Sequence, residues 1–222
     1  QVSLSAAFGT SGTAGGDDRA LRLSHTDIST TGAGTISITG NAGNDTSTGN
    51  VFGVEWNNSK ALSVSGAITV SGTGGKASAN VRGISSEAQG LNILSSSGAI
   101  TLTDTQPANL TGTYTGLVLR PTATGHLFIG ADGSTVPSSS SAITIQADKA
   151  TFTANGAYKD TLATSGTVVL ESAGNAFSSA LDTSNLMITG SPNSVRIGTS
   201  SNTADITLGS SITAAGPISV NG

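Results

Sequence analysis

Asn50-Val51-Phe52-Gly53-Val54, followed by Gly66-Ala67-Ile68-Thr69-Val70-Ser71-Gly72, is restated as Asn80-Val81-Arg82-Gly83-Ile84, followed by Gly98-Ala99-Ile100-Thr101-Leu102-Thr103-Asp104. Gly53 and Gly83 are 30 residues apart, and Ile68 and Ile100 are 32 apart. Self-similarity at a fixed period of this length predicts a repeat architecture, in which each unit buries its apolar face only by stacking on its neighbours.

Working upstream, Gly34-Thr35-Ile36-Ser37-Ile38-Thr39-Gly40 is an earlier copy of the second element, 32 residues before Gly66. Ala20-Leu21 reads as a weaker copy of the Gly-plus-aliphatic element, and Val2, Leu4, Ala6 and Phe8 alternate as one strand. Within each copy the parity is two: Ile68 and Val70 face one way and Ala67, Thr69 and Ser71 the other, with Leu62 and Val64 read as extending the first face. Period two with β-branched residues and flanking glycine predicts strand. No segment carries an apolar stripe at helical spacing, so the expected class is all-β. After Asp104 the period loosens, but the strand formula returns at Leu127–Ile129, Ile143–Ile145, Val168–Leu170, Leu186–Ile188, Ile206–Leu208 and Ile218–Val220. Pro107, Pro121, Pro137 and Pro192 fall between these elements, as residues that cannot donate to a ladder should. Pro217 stands at the start of the last strand.

Composition fits a thin, repeated core. Charged residues make up 10% and aromatics 4%, and Gly, Ser, Thr and Ala fill the difference. The formal charge is −4, from 9 basic and 13 acidic residues, which argues against nucleic acid or an anionic membrane surface as partner. The chain has no cysteine, which excludes disulfides and thiol catalysis. No run approaches the roughly 18 apolar residues of a membrane helix. Gln1 opens directly into a strand with no signal-peptide pattern, so the chain reads as a mature fragment or as part of a longer assembly.

A repeat of about 30 residues accommodates three short strands with turns between them. The expected fold is a right-handed parallel β-helix, three strands per coil, forming a single β-solenoid domain over residues 1–222. Its regular coils would cover about 18–120 and less regular ones about 121–222. Roughly seven or eight coils spaced by about 4.8 Å give a rod on the order of 35 Å long. Asn50 and Asn80 occupy equivalent positions, which predicts an amide ladder capped by Thr113 in the following coil. Gly53, Gly83 and Gly116 then mark a corner needing an unusual backbone angle or a close approach.

The run from Gly66 to Gly75 with Asn80-Val81-Arg82-Gly83-Ile84, and the tail from Asn202 to Gly209 with Gly216 to Val220, resembles the repeats of filamentous-haemagglutinin-type exoproteins of Gram-negative bacteria. The resemblance covers most of residues 34–222. It implies a right-handed parallel β-helix exported to the cell surface within a long adhesin or filament, and it carries over no functional residues.

Candidate sites are few. The acids are scattered rather than aligned, so no catalytic pair and no cofactor is expected, and the chain reads as a non-enzyme. His25 and His126 lack companions at ligand spacing and read as surface residues. Asp17-Asp18 and Asn41 to Asp45 match no defined calcium loop and read as solvated turns, so no metal is expected. Thr69, Thr101, Thr144 and Thr207 share a strand position as single threonines, which argues against a paired Thr array for ice. Trp56, the sole tryptophan, and Tyr114 are the candidate ligand contacts, as stacking platforms for a surface glycan. The functional expectation is a secreted, cell-surface rod or filament segment whose strand edges stack on copies of itself or on flanking coils. The alternatives are a glycan-binding adhesin module around Trp56 and Tyr114 and, further off, a polysaccharide-active enzyme.

Overall fold

In a computed structural model, residues 1–7, 17–43, 49–76, 79–86, 91–108, 110, 112–209 and 212–222 are described. Phe8, Asp45 and Glu87 lie outside them. The described residues contain strands and turns but no helix, and all but one of the strand pairings are parallel. The first sheet has eight strands, from Val2–Ala7 through Ile36–Asn41, Ile68–Thr73, Ile100–Thr105, Ile143–Ala147, Thr167–Glu171 and Ser194–Ile197 to Ile218–Val220, each hydrogen-bonded to the next. A second sheet joins Asp18–Ser24, Val51–Asn57, Asn80–Ser86, Leu117–Leu119 and Ala150–Phe152, with Thr113–Tyr114 paired to Asn80–Ser86. The third runs Asp27–Thr30, Ser59–Ser63, Leu91–Ser95, Leu127–Gly130, Tyr158–Ala163 and Leu186–Thr189, and Ala154–Asn155 adds an antiparallel hairpin to it. Up to Thr167–Glu171, the chain enters the first, second and third sheets in a recurring order.

The register matches the sequence repeat. Ile36 pairs with Ile68, Ile68 with Ile100, and Ile100 with Ile143, and the column continues through Val168, Val195 and Ile218. Val2 opens it. From Ile36 to Val195 these side chains are buried in one aliphatic core. Fully burying each such side chain contributes about 1.5–3 kcal/mol. Ala20 falls in register with Gly53, because Arg19 pairs with Phe52 and Leu21 with Val54.

One sequence expectation fails here. Leu62 belongs to Ser59–Ser63 in the third sheet, and Val64 lies in the turn beyond it, 50% exposed. Two strands separated by a tight turn had merged into one alternating pattern. That turn is fixed by hydroxyls: Ser63 Oγ donates to the Gly34 carbonyl (2.9 Å), Ser141 Oγ to Ser95 (3.1 Å) and Thr164 Oγ to Ser141 (2.7 Å).

The glycines create a pinch between the first and second sheets. In Val51–Asn57, Val51 joins a small cluster with Ala42, Val81 and Tyr114, while Val54 and Trp56 join the main core. Gly53 stands between the two groups, facing the first sheet, and a Cβ on it would come 2.6 Å from the Thr73 nitrogen. A Cβ on Gly72 would collide with the Gly83 carbonyl. Gly53 and Gly83 therefore mark a close approach inside regular strands. Of the three corner glycines, Gly116 alone adopts a left-handed backbone (φ 70°), and it splits Thr113–Tyr114 from Leu117–Leu119.

Candidate functional site

The predicted amide ladder has a definite geometry. Asn80 Nδ2 donates to Asn50 Oδ1 (2.9 Å), and Asn50 Nδ2 donates to Asp17 Oδ1 (2.9 Å). Asp17 also accepts from the Asn50 main-chain N–H (3.2 Å) and pairs with Arg19 (3.3 Å). Thr113 pairs with Asn80 in main-chain register, but no side-chain hydrogen bond joins the two, so the amide chain ends at Asn80.

Neither proposed stacking platform is available to a ligand. The Trp56 indole is fully buried in the main core and donates Nε1–H to the Ser59 carbonyl (2.7 Å). Its parity with Val54 points it inward, where the aliphatic column absorbs its large apolar area. Tyr114 is buried too, with its hydroxyl bonded to Asp104 Oδ1. The glycan platform built from these two residues is therefore corrected: both are interior.

Asp104 is the residue that sequence reasoning passed over. It stands in register with Gly40 and Gly72, in the inward column at the pinch. Where two glycines let the sheets meet, the third position carries a carboxyl group that takes the Ile84 N–H (2.9 Å) and the Tyr114 hydroxyl. Burial pushes its pKa up to about 7, against the lowering effect of those hydrogen bonds. The same burial, and the carboxylate beside it, push the Tyr114 hydroxyl far upward. Asp160 is a second interior acid, raised to about 8 by burial; Oδ2 takes the Thr153 N–H (3.1 Å) and Oδ1 has no hydrogen-bond partner among the described residues. The signal in the sequence was an acid in a glycine column. Nothing in the sequence flagged Asp160.

On the outside of the second sheet, Phe52 lies between the guanidinium groups of Arg19 (5.2 Å) and Arg82 (5.3 Å). Buried Glu55 accepts from Arg19 and from Arg22 Nε (3.0 Å). His25 is exposed with φ 52° and lies 3.1 Å from Ser24 Oγ. Asn41 Oδ1 accepts the Gly43 N–H (2.9 Å), an ordinary turn contact. Thr207 lies outside the first sheet, paired to Asp182, whereas Thr69, Thr101 and Thr144 do align. With mixed hydroxyls counted, Ser3/Ser5, Ser37/Thr39, Thr69/Ser71 and Thr101/Thr103 repeat a pair on four successive strands.

Two cavities open on the surface near the third sheet. One, of about 640 Å³, runs past Phe128, Asp132, Ser139, Thr164, Ser165 and Gly190. The other, of about 360 Å³, is lined by Asp27, Lys60, Asn92 and His126 among others. Among the described residues, no group of three or more His, Asp or Glu side chains is placed to hold a metal ion, and no helix is long and apolar enough to cross a membrane. Comparison with protein-family models, with curated proteins and with solved structures found no match in any of the three.

Proposed function

We propose that the chain is a segment of a stiff extracellular rod, a right-handed parallel β-helix with three strands per coil, of the filamentous-haemagglutinin type. The observation that carries this reading is the column Ile36–Ile68–Ile100–Ile143–Val168–Val195–Ile218, interleaved with visits to two further parallel sheets. Stacked parallel ladders resist bending because each strand is bonded on both sides and its inward side chain sits on the one beneath. Outward positions carry Ser and Thr, which keep such a surface hydrated. Among the described residues, the outer strands of the first sheet, Val2–Ala7 and Ile218–Val220, each have one unpaired edge, and Ile218 and Val220 are 47% and 40% exposed. Exposed edges with apolar inward residues are templates for further strands of the same kind, in the same chain or a second copy. Burial of Trp56 and Tyr114 removes the basis of the adhesin-module alternative at those residues.

Negative-stain electron microscopy at rising concentration tests the reading, together with proteinase K digestion. Filaments with an axial repeat of a few nanometres, and cleavage confined to loops, are the expected results. Single particles at every concentration would remove self-stacking, and rapid cleavage within the strands would remove the stiff rod.

A further inference from the structure

The smaller cavity holds an arrangement that the rod does not need. Asp27, Lys60 and Asn92 stand side by side on adjacent strands of the third sheet, Asp27 paired with Lys60 and Lys60 with Asn92. His126, just before the next strand, closes the cavity together with Asn58, Thr122 and Thr124. The hydrogen bonds around it decide which groups are left to a ligand. Lys159 donates its main-chain N–H to His126 Nδ1 (3.0 Å). Nδ1 also lies 3.1 Å from the Lys159 carbonyl, so the Lys159 main chain holds the ring through Nδ1 and leaves Nε2 without a partner among the described residues. The ring is fixed between Phe128 (5.8 Å) and Tyr158 (5.3 Å, edge-on).

Asn92 is oriented in the same way. Its Oδ1 accepts the Phe128 N–H (3.2 Å), which leaves its amide hydrogens as the free end. Among the described residues Lys60 Nζ has only Asp27, at 3.6 Å, and that carboxylate is 71% exposed, a loose surface pair that contributes little. Asn58 holds a left-handed backbone (φ 46°), as His25 does (φ 52°) at the equivalent turn one repeat earlier, so the turn itself sets this conformation. The cavity thus gathers an ammonium and a carboxamide NH₂ that no acceptor among the described residues engages other than Asp27, beside the His126 ring. At about 360 Å³ it falls within the range of small-ligand sites.

We propose that this cavity binds the oxyanion of a small acidic ligand, either a hexuronate unit of a polysaccharide or a free inorganic anion. Lys60 meets the charged oxygens, the Asn92 amide donates to one of them, His126 lines the same wall, and Asp27 competes with the ligand for Lys60. The assignment is independent of the rod, since a rod without a ligand needs no unmatched donors.

The test titrates the ¹⁵N-labelled chain with sodium glucuronate, sodium sulfate and glucose at constant ionic strength, following the His126 ring and Asn92 side-chain signals. Saturable shifts with glucuronate or sulfate and none with glucose are expected; the anion that saturates first identifies the source. Lys60→Met should abolish the shifts, and Asp27→Asn should tighten binding roughly two- to fivefold by freeing the ammonium. Absence of a saturable shift with both anions, an equal response to glucose, or unchanged affinity in both variants would overturn the assignment. Asp27→Asn alters only an exposed side chain, so it remains informative should Lys60→Met fold poorly.

Discussion

Residues 18–105 and 106–222 share a register but not a rhythm. In the first region the first sheet advances by 32 residues from Ile36 to Ile68 and again to Ile100. In the second it advances by 43 to Ile143, then by 25 to Val168, 27 to Val195 and 23 to Ile218. The inward column nonetheless continues. The fold therefore requires an aliphatic residue in register and leaves the connecting length nearly free, because loop closure costs only about 0.6 kcal/mol per doubling of length. The second sheet does suffer. Seven-residue strands such as Asn80–Ser86 give way to Thr113–Tyr114 and Leu117–Leu119 around Gly116, and Asp104 takes the place of a pinch glycine.

The sharpest way to break the comparison is at the pinch. Gly72→Val drives a side chain into the Gly83 carbonyl and should cost about 3–5 kcal/mol, read as a lower denaturation midpoint. Gly174→Ala, in the second region, meets nothing closer than 3.4 Å and should stay within about 0.5 kcal/mol. Equal effects would mean that the close approach at Gly72 carries none of the cost.

Next in size is pH. Asp104 and Asp160 are raised from 3.8 to about 7 and about 8, so folding favours their neutral forms. Their contribution is fully present below pH 3.8 and is lost as pH rises through 7 to 8. Thermal stability should thus fall between about pH 4 and 8, by on the order of a few kcal/mol in total. Hydrogen exchange, corrected for its intrinsic rate, should rise first over residues 113–163. Asp104→Asn should flatten much of the slope; an unchanged slope would assign it to other groups.

The smallest effect belongs to the amide ladder of the first region. Asn80→Ala removes the bond to Asn50 and should cost about 0.5–1.5 kcal/mol by chemical denaturation. Thr113→Ala, at the equivalent position after the ladder has ended, should cost less than Asn80→Ala.

The all-β class and the pairing of Ile36, Ile68 and Ile100 were legible because period two and a 32-residue repeat constrain every inward side chain. The third sheet was harder to read. Ser59–Ser63 is short and flows through a serine-fixed turn into the next strand, so Leu62 and Val64 looked like one face. The candidate platforms failed for a related reason. Alternation slips at Gly53, where Gly53 and Val54 both turn inward, and chemistry alone made Trp56 attractive when its parity with Val54 already placed it inside. The small cavity was invisible because its residues come from strands 32 or more positions apart and from a loop; only register brings Asp27, Lys60, Asn92 and His126 together.

The burial of Trp56 has an optical consequence. It is the sole tryptophan, enclosed within the region of even spacing, and neither tyrosine lies in that region. Its emission should be blue-shifted when folded and should report on the early repeats alone, whereas far-ultraviolet circular dichroism averages over every strand. A single transition seen by both signals would mean that the uneven connections transmit cooperativity from one region to the other. Separated transitions would make the long step between Ile100 and Ile143 a seam between two units that melt apart.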